Sequence, residues 1–229
     1  MSTTLNNLFI FSDFDGTITR EDSLTLLINK CMGAEVREKV DEAIKQGTIN
    51  FRDGMIRQFE GINVSWEEAS SFLKEITRAD PHFKGFVEYC DSENIPLTVV
   101  SCGIAPLIRN FLITFLGVEL SNKIQVEANG VKIVDNHWIP VYHDDSDFGH
   151  DKSLTMRRVK ETLETKPTLV FLGDGLSDIS AAREADILFA KKGCDLEAWC
   201  IKEGVKYIPF EDFSQVLVAL RRLVATTEI

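Results

Sequence analysis

Asp13 and Asp15 stand two residues apart in DFDGT at the end of an apolar run, and two further aspartates, Asp174 and Asp178, follow in GDGLSD. Alternation along a strand turns Asp13 and Asp15 to one side and Phe14 to the other. Four acids converging on one crevice cannot all stay ionised without a cation beside them. Oxygen-only ligands favour a hard ion, and magnesium (Mg2+) suits a small site completed by water and phosphate oxygens. Either motif alone is commonplace, because aspartate and glycine are routine at strand ends and turns. Their joint occurrence, each closing an apolar run, carries the reading.

Groups suited to an anion lie in two further segments. Ser101 closes PLTVVS, and Cys102 and Gly103 lead into a helical pattern whose first backbone amides have no partner within the helix. Lys152, in GHDKS at the start of another helical pattern, is placed to neutralise both a phosphate and a carboxylate nucleophile. Two other chemistries fail on spacing. A cysteine phosphatase loop needs an arginine where this chain has Ile108, with Arg109 one step too far. HDDSDFGHD resembles a calcium loop, but counted from Asp145 its sixth and twelfth places hold His150 and Met156 instead of glycine and an acid. That stretch reads as a solvated approach to the site, with His143 and His150 near the substrate entrance.

These groups need a scaffold that brings distant strand ends together. Four short apolar runs read as strands, at 8–14, 96–101, 168–174 and 186–190. Helical patterns occupy 82–93, 105–116, 152–164, 177–185, 195–203 and 211–224. The alternation predicts an α/β fold, a Rossmann-like parallel sheet with helices on both faces and ligands at its carboxyl edge. The rhythm breaks after the first strand, where 23–32, 34–46, 51–59 and 66–77 read as successive helices. The expected organisation is a catalytic core at 1–20 and 81–229 with an inserted helical cap at 21–80 that sets substrate specificity. A second interruption, KIQVEANGVKIVDNHWIPVYHDD, reads as a small β-hairpin excursion turning at Asn129-Gly130.

The chain has 229 residues, 44% of them hydrophobic, which is enough for a core without staples. Five cysteines without metal-like pairing and an amino terminus without a secretory pattern imply reduced thiols in the cytoplasm. A net charge of -11 argues against a nucleic-acid partner, and no apolar stretch is long enough to span a membrane. No obligate protein partner is evident.

DFDGT, VVSCG, GHDKS and GDGLSD, in that order, resemble the haloacid dehalogenase-like phosphatase superfamily. The helical segment after the first motif, with GDGLSDISAAREADILFAK, is similar to its phosphoserine phosphatase-like branch, nearest the methionine-salvage and fungal polyol phosphatases. The resemblance implies that Asp13 is the nucleophile, Asp15 the general acid and base, and Lys152 a catalytic charge partner. It also implies a magnesium held by the carboxylates of Asp13 and Asp174 and the backbone carbonyl of Asp15, with Asp178 in support. Ser101, Cys102 and Gly103 would bind phosphate. Cys102 departs from the branch, which more often has glycine there; a quiet small side chain is expected.

Substrate choice should reside in the cap, where Glu21, Asp22, Arg52 and Arg57 are the polar candidates, with Asp22 and Arg57 preferred. Gln58 stands where the phosphoserine phosphatases carry an arginine, and Arg57 lies about 100 degrees around the helix from it. The resemblance therefore implies a small phosphorylated metabolite, with a polyol or sugar phosphate favoured over phosphoserine or a methionine-salvage intermediate. A phosphotransferase or mutase, and a catalytically silent binding protein on the same fold, are the readings of other classes.

Overall fold

Alternation within the apolar runs divides their side chains between two sides of a sheet. In the computed structural model, which describes residues 7–225, Ile10, Val99, Val170, Leu172 and Phe189 join one buried cluster, while Phe11, Val100, Leu169, Phe171 and Leu188 join another. Both faces are covered, which is why these strands read as continuous apolar runs. The strands are β1 (Leu8–Ser12), β2 (Leu97–Ile104), β3 (Gln125–Val134), β4 (His137–Val141), β5 (Thr168–Gly173), β6 (Ile187–Lys191) and β7 (Ile208–Phe210), in the spatial order β4-β3-β2-β1-β5-β6-β7. All neighbours are parallel except β3 and β4. With β1 between β2 and β5, the carboxyl ends of three strands carrying the acidic and hydroxyl groups come together.

Four helices follow β1 without an intervening strand: α1 (Ser23–Met32), α2 (Ala34–Lys45), α3 (Phe51–Glu60) and α4 (Trp66–Ile76). Asp22, Asn50 and Ser65 cap α1, α3 and α4 by accepting from the amides of Thr25, Asp53 and Glu68. The chain leaves and rejoins the sheet through a paired stem: Thr19 bridges Ala79, the Arg20 amide donates to Arg78 O at 2.9 Å, and the Asp80 amide donates to Ile18 O at 2.8 Å. Leu27, Met55, Phe59 and Leu73 share the core cluster of the adjoining sheet face, so the insertion is packed onto the core.

The remaining helices are α5 (Phe83–Ser92), α6 (Ala105–Leu116), α7 (Val118–Ser121), α8 (Lys152–Thr162), α9 (Ile179–Glu184), α10 (Asp195–Glu203) and α11 (Phe213–Ala225), with a 3-10 turn at Leu176–Asp178 before α9. The strand β7 carries no strand pattern in the sequence because it has three residues, one of them Pro209, which an edge position tolerates. The hairpin differs more. Its turn lies at Asp135 and Asn136, with φ of 49° and 64°, and Asn129-Gly130 sits inside β3. The hairpin also extends the main sheet: β3 pairs with β2 along its first half and with β4 along its second. Trp138 of β4 stacks on Trp66, at 5.7 Å between ring centroids, and donates to Val64 O at 2.8 Å. The hairpin thereby buttresses the insertion.

Candidate active site

Asp13 is the first residue beyond β1, and its amide donates to Leu172 O at 2.9 Å, which places its side chain at the sheet's carboxyl edge. Lys152 opens α8 and reaches back under that edge, with Nζ 2.7 Å from Asp13 Oδ1 and 2.5 Å from Asp178 Oδ1. Burial disfavours the ammonium, but the two carboxylates outweigh it and raise Lys152 well above its ordinary range. Asp178 Oδ2 accepts the amides of Asp174 and Gly175 at 2.9 and 3.0 Å, so Asp178 fastens the lysine and the glycine turn together. A Cβ on Gly173 would stand 2.4 Å from Asp178 Oδ2, which is why the turn needs glycine there.

Asp174 accepts from Thr17 Oγ1 at 2.9 Å. Gly16, at φ +79°, passes so close that a Cβ would stand 2.4 Å from Asp174 Oδ2, while Lys191 Nζ grips Gly16 O at 2.5 Å. Asp13, Asp174 and Asp178 each offer an oxygen within 4.8 Å of the others. Burial, then the Asp178 charge, pushes Asp13 well above the usual carboxylate range against the pull of Lys152. Asp174 rises to about 6, again from burial and Asp178. Acids raised in this way accommodate another positive charge, and an all-oxygen donor set fits a hard divalent cation. Asp178 already spends both oxygens on protein donors, leaving Asp13 and Asp174 as the carboxylates with an oxygen to share.

Asp15 is separated from that group in contacts and in chemistry. Its Oδ1 accepts from Ser23 N and Ser23 Oγ at 2.8 and 2.6 Å, so the first residue of α1 orients it. Burial, followed by the charge of Asp22, raises its carboxyl to about 7 against those hydrogen bonds. A group balanced near neutrality can give up a proton and take one back. A Cβ on Gly103 would stand 3.0 Å from Asp15 Oδ2, so the Ser101 loop and Asp15 face one another closely.

Between these groups lies a cavity of about 160 Å³ lined by Asp13, Asp15, Ser101, Gly103 and Asp174, with Leu24, Phe51 and Met55 of the insertion on its far wall. Leu24, Phe51 and Met55 also border a groove of about 930 Å³ that reaches Asp41 and Gln58.

The structure brings Asp13, Asp15, Ser101, Cys102, Gly103, Asp174 and Asp22 to that cavity, with Lys152 and Asp178 beneath Asp13. Asp22 also caps α1. Arg57 does not come to the crevice: it is exposed, and the helical rotation presents Gln58 instead, buried and donating to Asp41 Oδ1 at 2.7 Å. Glu21 is drawn to the stem, where its carboxylate accepts the Arg78 amide. Arg52 stacks on Tyr142 and donates to Asp144 O at 3.0 Å, so it fastens α3 to the loop before α8. His150 is fully buried behind Ser101 and not at the entrance, and His143 stacks on it at 4.1 Å between ring centroids. The Cys102 thiol is driven by burial to about 12, which keeps it protonated and unreactive. Thr17, Ser23 and Lys191 are absent from the expected site, and Asn129 was expected only as a turn residue. Thr17 was legible within DFDGT, whereas the other three act through contacts that no local spacing announces.

An α/β sheet whose carboxyl edge joins a buried lysine and carboxylates to a hydroxyl-and-amide loop offers the charge and the donors that a phosphatase needs. The comparisons narrow the class. Residues 10–183 match the family model described as haloacid dehalogenase-like hydrolase, and the chain belongs to that family. It is 42% identical to Pdp3-interacting factor 1 of Schizosaccharomyces pombe, covering 94% of this chain and 96% of that protein. Identity is 37% to polyol phosphate phosphatase PYP1 of Saccharomyces cerevisiae, over 94% and 93% of the two chains. It is 30% to 2-hydroxy-3-keto-5-methylthiopentenyl-1-phosphate phosphatase of Lysinibacillus sphaericus, over 95% of each. The fold matches that of a phosphoserine phosphatase solved as a phospho-aspartyl intermediate analogue, with a TM-score of 0.68, 17% identity, and coverage of 93% of this chain and 98% of the other.

Proposed function

We propose that this chain is a magnesium-dependent phosphatase that hydrolyses a polyol or sugar phosphate through an aspartyl-phosphate on Asp13. The observation that carries this reading is the pairing, across one cavity, of a lysine-bound carboxylate with a second carboxyl raised to about 7. Asp13 forms the new bond to phosphorus as the ester P–O bond breaks, and Asp15 gives its proton to the departing alkoxide. Asp15 then takes a proton from the water that cleaves the aspartyl-phosphate, releasing orthophosphate and restoring Asp13. The Ser101 hydroxyl, which accepts from the Gly103 amide, and the Cys102 amide hold the phosphoryl oxygens as charge moves between them, while Lys152 balances the charge of Asp13 from beneath the cavity. The carboxylates of Asp13 and Asp174 with the Asp15 carbonyl would hold magnesium, which would supply positive charge against the phosphate.

The four-helix insertion at 21–80 acts in this reading as a specificity cap over the core at 1–20 and 81–229. Among the described residues the cavity lining contains no basic side chain, which favours an uncharged alcohol over the carboxylate of phosphoserine. The 37% identity to a polyol phosphate phosphatase supports the same choice. Leu24, Phe51 and Met55 favour a second reading, a methionine-salvage intermediate carrying an apolar tail. The five free cysteines support a reducing compartment such as the cytoplasm.

The test is kcat/KM over phosphorylated polyols, sugars, phosphoserine and the methylthio-substituted enol phosphate. Highest values for polyol or sugar phosphates are expected; highest values for phosphoserine would overturn the substrate class. Reaction in labelled water separates hydrolysis, which places the label in orthophosphate, from transfer to an added alcohol.

A further inference from the structure

The loop carrying Ser101, Cys102 and Gly103 is held from behind by two buried side chains that the proposed chemistry does not use. Pairing of β2 with β3 runs to Ser101 opposite Ala128 and resumes at Ile104 opposite Asn129, so the ladder skips Cys102 and Gly103. Backbone polar groups buried at such a break need other partners. Asn129, 1% exposed, donates from Nδ2 to Cys102 O at 2.8 Å, and its Oδ1 accepts the His143 amide at 2.9 Å. His150 has Nδ1 2.9 Å from Ser101 O and Nε2 3.2 Å from Thr155 Oγ1. A carbonyl only accepts, so Nδ1 carries the proton and Nε2 accepts from the threonine hydroxyl.

In a trans peptide the N–H points opposite to the C=O. Fixing the Ser101 carbonyl on His150 turns the Cys102 amide the other way, and fixing the Cys102 carbonyl on Asn129 does the same for the Gly103 amide. The latter donates to Ser101 Oγ at 2.9 Å, and Ser101, Cys102 and Gly103 all line the cavity. We propose that Asn129 and His150 are positioning residues that hold two successive peptide planes of this loop so that the Cys102 amide and, through the Gly103 amide, the Ser101 hydroxyl face the bound phosphate. The inference rests on the phosphatase reading of the cavity. Through Thr155 of α8, His150 also ties this loop to the helix that presents Lys152, so two sides of the phosphate site share one buried link.

Orthophosphate titrated calorimetrically into the full chain, with magnesium present, reads anion affinity without turnover. The amide nitrogen of asparagine can stand in for histidine Nδ1, whereas glutamine reaches only the Nε2 position. His150→Gln and Asn129→Ala are expected to weaken orthophosphate binding about tenfold, and His150→Asn to recover it to within about threefold of wild type. Thermal midpoints measured alongside separate positioning from stability. Equal orthophosphate affinity in His150→Gln and His150→Asn, or a lowered midpoint with affinity unchanged, overturns the proposal. Should the His150 variants fail to fold, Asn129→Ala and Asn129→Ser are read against wild type by the same measure, and unchanged affinity in both overturns it. A wild-type chain that binds orthophosphate but cleaves no ester counts against the phosphatase reading alone.

Discussion

Lys152 and Asp178 meet at 2.5 Å with neither side chain exposed to solvent, and the same ammonium lies 2.7 Å from Asp13. A lysine buried between two acids is held by them as firmly as it holds them. Removing one partner of such a buried group leaves charge without compensation.

Lys152→Met is therefore expected to lower stability by about 3–5 kcal/mol at neutral pH as well as to abolish turnover. Adding Asp178→Asn should restore part of the stability and none of the activity. Urea unfolding of both single variants and the double variant measures the stabilities, a turnover assay reads the activity, and strict additivity of the two stability changes would contradict the coupling.

Gly16 fixes Asp174 by the absence of a side chain. At φ +79°, a Cβ would stand 2.4 Å from Asp174 Oδ2, so Gly16→Ala must move that carboxylate. Supporting groups of this kind typically change metal affinity by about 10–100-fold. The magnesium concentration giving half-maximal activity should rise by about that factor while saturating magnesium recovers part of the rate. A magnesium titration of the variant decides it.

Arg57 and Gln58 offer a paired test of the crevice wall. Arg57 is exposed, so Arg57→Ala should leave kcat/KM for a polyol phosphate within about twofold of wild type, as surface substitutions usually do. Gln58→Ala removes a buried amide bonded to Asp41 and should raise KM for the polyol phosphate, while an aryl phosphate, which presents no hydroxyl chain, is affected less.

His150 predicts a particular acid sensitivity. Burial depresses it from 6.5 to about 4, so the folded state keeps it neutral while the unfolded chain protonates first. Its contribution is fully present above pH 6.5 and is lost as pH falls toward 4, amounting to about 3 kcal/mol at most. The raised carboxylates of Asp13, Asp15 and Asp174 act in the opposite sense, losing stability as pH rises through their folded values. The difference between wild type and His150→Asn isolates the histidine: it should shift in favour of the variant as pH falls through that window.

Much of the scaffold was legible because its signals are local. Helices at 105–116 and 195–203 agree with α6 and α10, since their apolar spacing and capping residues are set within a few residues of chain. The hairpin turn was misplaced because Asn129-Gly130 is a strong local turn signal, yet Asn129 is held inside β3 by bonds to Cys102 and His143. Asp135 and Asn136 take the positive-φ positions instead. His150 was assigned to the entrance for a similar reason: an acidic, polar neighbourhood looks solvated until Ser101 and Thr155 are brought against it.

The sequence by itself determined that acids stand at the ends of two apolar runs, because short strand signals and tight glycine turns are written in adjacent residues; Asp13 and Asp15 lie just beyond β1, where contacts and not strand alternation set their directions. The four motifs and their order therefore placed the candidate site around Asp13. Only the tertiary structure decided that Lys152 closes on Asp13 and Asp178, that Gln58 and not Arg57 faces the crevice, and that Asn129 and His150 bond the carbonyls of Cys102 and Ser101. Those outcomes depend on packing between segments 17 to 139 residues apart, where hydrogen bonds are made only after the sheet has set the distances.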